Sequence, residues 1–122
     1  MMGKARSGTE KLRRRTVQLT DHALERVRDR LDLSGIRDHS SETDDSIGNR
    51  IDGAVVYCRR NGLSRKYTEI VDGEEREVEV CCGSEFLWDA DLWAVVRGNR
   101  VITVLTGEQV FRSVAGEKWK AA

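Results

Sequence analysis

An α+β fold is the class the sequence predicts, and three observations predict it. Two stretches with helical spacing come first. The chain then switches to alternation with a period of two. The alternating runs are joined by Asp72-Gly73 and Gly98-Asn99, which are turn sequences. Helices segregated from strands in this way imply two N-terminal helices packed on an antiparallel sheet of about four strands, with a short C-terminal helix after them.

The elements follow in order. Residues 1–16 contain Gly3, Ser7 and Gly8 and have no apolar period, so they read as a disordered arm. Val17-Gln18-Leu19 is either a short strand or the lead-in to the first helix. Thr20 or Asp21 caps that helix by accepting from an orphan amide of the first turn. It runs from about His22 to Leu31, with Leu24, Val27 and Leu31 at i, i+3 and i+7 facing the core. Leu33-Ser34-Gly35 ends it. The polar stretch from Asp38 to Asp45 offers caps for a second helix. Its stripe is Ile47, Ile51, Ala54, Val55 and Cys58. Gly48 and Gly53 each weaken that helix by about 1 kcal/mol relative to Ala. Asn61-Gly62 stops it.

Beyond Gly62, Tyr67, Glu69 and Val71 alternate with Thr68 and Ile70, and Val78, Val80 and Cys82 alternate with Glu77, Glu79 and Cys81. Leu92 to Val96 and Val101 to Leu105 flank Arg97-Gly98-Asn99-Arg100, the strongest hairpin signal in the chain. Thr106-Gly107-Glu108-Gln109 has the form of a capping box before a short last helix. The folded domain is expected over residues 17–115. Residues 116–122 are expected to fray, with Trp119 the candidate to pin them to the body.

Composition bounds the function. A chain of 122 residues makes one domain with one modest core. It has no apolar run long enough to span a membrane and no apolar segment of signal-peptide type, so a cytoplasmic protein is expected. Cys58, Cys81 and Cys82 are an odd count without a C-x-x-C pair. They read as reduced structural thiols, and no metal or other cofactor is expected. The formal charge is zero but unevenly spread. Up to Thr16 there are six basic residues against Glu10, a net +5, so the body carries −5. Such an arm either touches nucleic-acid phosphates, through Arg13, Arg14 and Arg15, or merely solubilises the chain.

The most suggestive chemistry lies on the first helix. His22, Arg26 and Arg30 fall at i, i+4 and i+8 and stack into one row beside the apolar stripe. An imidazole moves protons near neutral pH, and guanidiniums form planar forks that match phosphate oxygens. Metal-independent RNA cleavage needs such a set. The same spacing also suits a solvated helix face on which His22 caps the first turn and the arginines pair with Glu25 and Asp29.

The segment His-Ala-x-x-Arg-x-x-x-Arg from His22 to Arg30, together with the late strand Val-Ile-Thr-Val-Leu from Val101 to Leu105, resembles a family of small toxin-related domains. These are domains of the barnase/EndoU/colicin/RelE type, including BrnT-like toxins and phage and bacterial relatives. The resemblance implies an N-terminal helical part against an antiparallel sheet and a metal-independent endoribonuclease, often paired with an antitoxin. It further implies that His22 transfers protons, Arg26 and Arg30 hold phosphate, and Thr103 stands on the sheet near the site.

Other candidates have ordinary readings beside them. His39, among Asp38, Ser40, Ser41, Glu42, Asp44 and Asp45, does not fit the spacing of a Ca²⁺ loop and reads as a capping loop. Cys81 and Cys82 on a strand point to opposite faces, one to the core. Trp88 and Trp93 are core and rim of the sheet or anchors for a partner protein. Tyr67 beside Arg65 and Lys66 could stack a base over a cationic strand. Two alternatives to an RNA-cleaving enzyme therefore stay open. One is a non-catalytic phage or mobile-element accessory protein that binds a host protein. The other is a nucleic-acid-binding module led by the basic arm.

Overall fold

The structure is a computed structural model and describes residues 15–121. Thr20, Thr43 and Thr106 each end an extended segment and accept a bond from the amide three residues on, at 3.1–3.2 Å, which starts the three α-helices. These are α1 (Asp21–Leu33), α2 (Asp44–Arg60) and α3 (Gly107–Ala115). The third has the complete capping box, with Gln109 Oε1 accepting from the Thr106 amide at 2.9 Å. The strands are β1 (Gln18–Leu19), β2 (Arg65–Val71), β3 (Glu74–Cys82), β4 (Leu92–Arg97), β5 (Arg100–Thr106) and β6 (Trp119–Ala121). Short 3₁₀ turns at Asp38–Ser41 and Ser84–Phe86 precede α2 and β4.

The α+β class is as expected, but the sheet differs. It has six strands in the order β1-β5-β4-β3-β2-β6, rather than about four, and it is mixed rather than antiparallel. The parallel pair is β1 with β5, joined by Gln18 N–H to Asn99 O at 2.8 Å and Thr20 N–H to Val101 O at 3.1 Å. Asp52 on α2 explains the docking of β1. Its nearly buried carboxylate accepts from the Val17 amide at 2.9 Å, and the Val17 side chain enters the core. The sixth strand comes from the tail expected to fray. Trp119 is buried, stacks on Tyr67 with ring centroids 5.7 Å apart, and donates Nε1–H to Glu69 at 3.0 Å. That one residue orders the segment by removing a large ring from water.

The hairpins form where the turn residues place them. Asp72 and Gly73 both adopt positive φ between β2 and β3, and Gly98 does so between β4 and β5. On one face of the sheet, α1 and α2 bury Val27, Leu31, Ile47, Ile51 and Val55 against Leu92, Val96, Val101 and Val104. On the other face, Val78, Val80, Val95 and Trp119 pack with Val110 and Val114 of the shorter α3. Val95 pairs with Thr103 but Val96 with Val101, so Ile102 is the extra residue of a β-bulge. The two glycines in α2 also have a use. A Cβ on Gly48 would strike the guanidinium of Arg15, and one on Gly53 would crowd the ring of Phe86.

Candidate functional site

The His22–Arg26–Arg30 row is carried by the side of α1 that runs along β5. His22 and Arg26 are exposed, and Arg26 Nε lies 3.5 Å from His22 Nε2. Arg30 is half-buried and donates its Nε–H to Val104 O at 2.8 Å. β5 pairs with β4 along one side but with β1 only at its first residues, so this bond covers a carbonyl where the other side is unpaired. Burial, and then the neighbouring charge of Arg26, lower the proton affinity of the Arg30 guanidinium against the opposing pull of Asp29. Two cations thus stand side by side. The expected pairing with Glu25 and Asp29 does not occur, and among the described residues neither arginine forms an ion pair. Elsewhere Arg28, Arg50 and Arg59 are held by Asp44 at 2.9 Å, Glu42 at 2.5 Å and Glu79 at 2.6 Å.

The remaining predicted site residues do not converge on the row. Thr103 is opposite Val95, whose side chain packs on the α3 face, so the sheet stands between Thr103 and α1. Arg13 and Arg14 lie outside the described residues. Arg15, expected to reach phosphate, is tied to the start of α2, paired with Asp45 and donating Nε–H to Asn49 at 2.9 Å. Arg65 and Tyr67 are opposite Val80 and Val78 on the α3 face, whereas Lys66 is opposite Glu79 on the reverse face. A single cationic stacking strip is therefore not formed, and the face of Tyr67 is already covered by Trp119.

A second cluster was not legible in the sequence. His39 is buried, with Nε2 2.6 Å from Asp32 Oδ1 and Nδ1 3.4 Å from Arg28 Nη1. Arg28 also donates to the carbonyls of His39 at 2.7 Å and Glu42 at 2.8 Å. This network fastens the 3₁₀ turn to α1, and its imidazole is closed to substrate. The two buried thiols, Cys58 and Cys81, are also unsuited to attack. Burial pushes Cys81 up to about 12 and raises Cys58 as well. Among the described residues no three His, Cys, Asp or Glu side chains gather as a metal site, and no helix is long and apolar enough to cross a membrane.

Comparison with protein-family models, with curated proteins and with solved structures found no match for the chain.

Proposed function

We propose that the protein engages RNA phosphate along α1, with His22 as the proton-transfer group of a metal-independent endoribonuclease and Arg26 and Arg30 as the phosphate-binding pair. One observation carries this reading: the row keeps two adjacent guanidiniums without a carboxylate, although the body of the protein is acidic and pairs other helix arginines. An anion placed between Arg26 and Arg30 relieves their mutual repulsion, and phosphate is the anion whose oxygens match two such forks. His22 stands one turn away with an accessible imidazole.

In the reaction, the 2′-oxygen attacks phosphorus while His22 removes its proton. The bond from phosphorus to the 5′-oxygen breaks, and water protonates that oxygen. The products are a 2′,3′-cyclic phosphate and a 5′-hydroxyl. The arginines stabilise the added charge on the phosphorane. Thr103 has no part in this version, because it lies across the sheet.

The test is cleavage of a labelled RNA in EDTA from about pH 5 to 8 by wild type and His22→Ala. Cyclic phosphate ends that vanish with the variant support the reading. Salt-sensitive binding without cleavage, weakened by Arg26→Ala, keeps the phosphate row and removes the catalytic step. RNA binding unaffected by either substitution overturns both.

A further inference from the structure

The surface where α2, the Ser84–Phe86 turn and α3 meet the end of the sheet carries its own signal, independent of the row. A cleft of about 220 Å³ is lined by Tyr57, Leu63, Phe86 and Trp93, with Arg65 and Glu85 at its rim. A second hollow shares Arg65 and Trp93 with it and reaches Phe111 on α3, so the two form one continuous surface. Three large apolar side chains on this surface stay in water: Phe111 is 69% exposed, Leu63 52% and Tyr57 42%. Trp93 is held in place rather than loose. Its Nε1–H donates to Asp91 at 3.1 Å, and the same carboxylate accepts from the Gly107 amide at 3.0 Å, which fixes the start of α3 beside the cleft. A Cβ at position 107 would meet that carboxylate at 2.8 Å, so glycine is what lets the aspartate bridge the two.

We infer that this face is a two-fold interface between two copies of the chain, in which Phe111 of each copy enters the Tyr57–Leu63–Phe86–Trp93 cleft of the other. A two-fold interface needs one patch that is complementary to itself. This one has both halves, a projecting ring and an apolar hollow, on the same surface. A cavity of about 150 Å³ is enough to take a benzene ring, so the cleft accommodates a phenylalanine side chain. The rim supplies charge complementarity. Arg65 and Glu85 are exposed, have opposite signs, and have no ion-pair partner among the described residues. In the inferred dimer Arg65 of one copy pairs with Glu85 of the other, since both line the cleft that receives Phe111.

Sedimentation equilibrium of the full chain tests this. The mass is expected to rise with concentration from 13.8 kDa toward twice that value. Phe111→Glu places a charge in an apolar hollow and is expected to weaken the dimer by about 100-fold or more. At concentrations where both proteins are monomeric its helical signal and melting temperature match the wild type's, because Phe111 contributes little to the monomer core. Arg65→Glu weakens the dimer by about 10-fold, and adding Glu85→Arg to it restores association. A wild type that stays monomeric throughout overturns the inference, whatever else covers the face. So does a dimer that survives Phe111→Glu, or a charge swap that fails to rescue.

Discussion

Arg26 and Arg28 are two positions apart on α1, yet only Arg28 is tied into the fold, and replacing each with Met separates that structural role from the one proposed for Arg26. Methionine keeps the apolar stem and removes the guanidinium. At position 28 this strips donors from the carbonyls of His39 and Glu42, which were bonded at 2.7 and 2.8 Å, and from Nδ1 of His39. Hydrogen bonds to a charged group contribute about 1.5–3 kcal/mol each. The two carbonyls are only partly buried and regain some water, so the lower end of that range applies to each. The pair with Asp44 adds little, since that carboxylate is 71% exposed. The expected loss is about 3 kcal/mol, which in a chain of this size lowers the melting temperature by about 10 °C. At position 26 the side chain is exposed and bonds no carbonyl, so the expected change is within about 0.5 kcal/mol. Urea unfolding followed by tryptophan fluorescence reads both, as a shift in midpoint at constant slope. Equal midpoints for the two variants, or an unshifted Arg28→Met, would refute the assignment of one arginine to the fold and the other to ligand.

Two further outcomes concern pH. Hydrogen bonds from Arg50 and Ser46 hold the Glu42 carboxyl below its ordinary 4.5; burial pushes Glu79 upward, but bonds from Arg59 and Ser64 prevail and leave it low too. Both are depressed in the folded state, so their stabilisation is complete above about pH 4.5 and is lost as pH falls through the lower folded values. Glu42→Gln is expected to make the midpoint of urea unfolding fall less steeply as pH drops below about 4.5. The buried thiol of Cys81 behaves in the opposite sense: the unfolded chain ionises from about 9 while the folded one holds its proton to about 12, so stability declines over that window by at most about 1.4 kcal/mol per pH unit. A thiol reagent at pH 8 is expected to label half-buried Cys82 in the native protein and Cys58 and Cys81 only after urea is added.

Much of the architecture was legible because it rests on local chemistry. Thr20 and Thr106 cap helices in sequence terms alone, and Asp72, Gly73 and Gly98 adopt positive φ at the turn sequences where the chain reverses. The mixed topology was not legible, because β1 is two residues long and its place depends on an Asp52 carboxylate thirty-five residues away. Trp119 was expected to pin the tail, but the strand it forms was not legible, because a charged, glycine-containing segment gives no local sign of the Trp119–Tyr67 stack, a tertiary event. At the candidate site, helical periodicity correctly aligned His22 with Arg26 and Arg30. It carried no information on Thr103, whose face is set by the bulge at Ile102. His39 shows the same limit from the other side. A histidine in a polar stretch gives no periodic sign that it will be buried between Asp32 and Arg28.

Arg30 links the fold to the proposed function, and a conservative substitution exposes the link. Its Nε–H is committed to Val104 O, while its two terminal nitrogens have no partner among the described residues. The bond fixes the plane of the fork before any ligand arrives, so part of the entropy of ordering a long side chain is lost in folding rather than in binding. Lysine keeps the charge but has one nitrogen at its tip. It can cover the carbonyl or face a phosphate, and it has no planar fork with which to do both. Arg30→Lys is therefore expected to weaken RNA binding by about 10-fold, close to the effect of removing the charge. Arg26→Lys, at a position where nothing pins the guanidinium to the backbone, is expected to change it by less than about 3-fold. Filter binding at two salt concentrations reads both. The slope against log salt should be retained in Arg26→Lys and reduced in Arg30→Lys, whose ammonium leaves the phosphate when it covers Val104 O. Identical losses for the two lysine variants would mean that charge alone matters and that the bond to Val104 serves only the sheet edge.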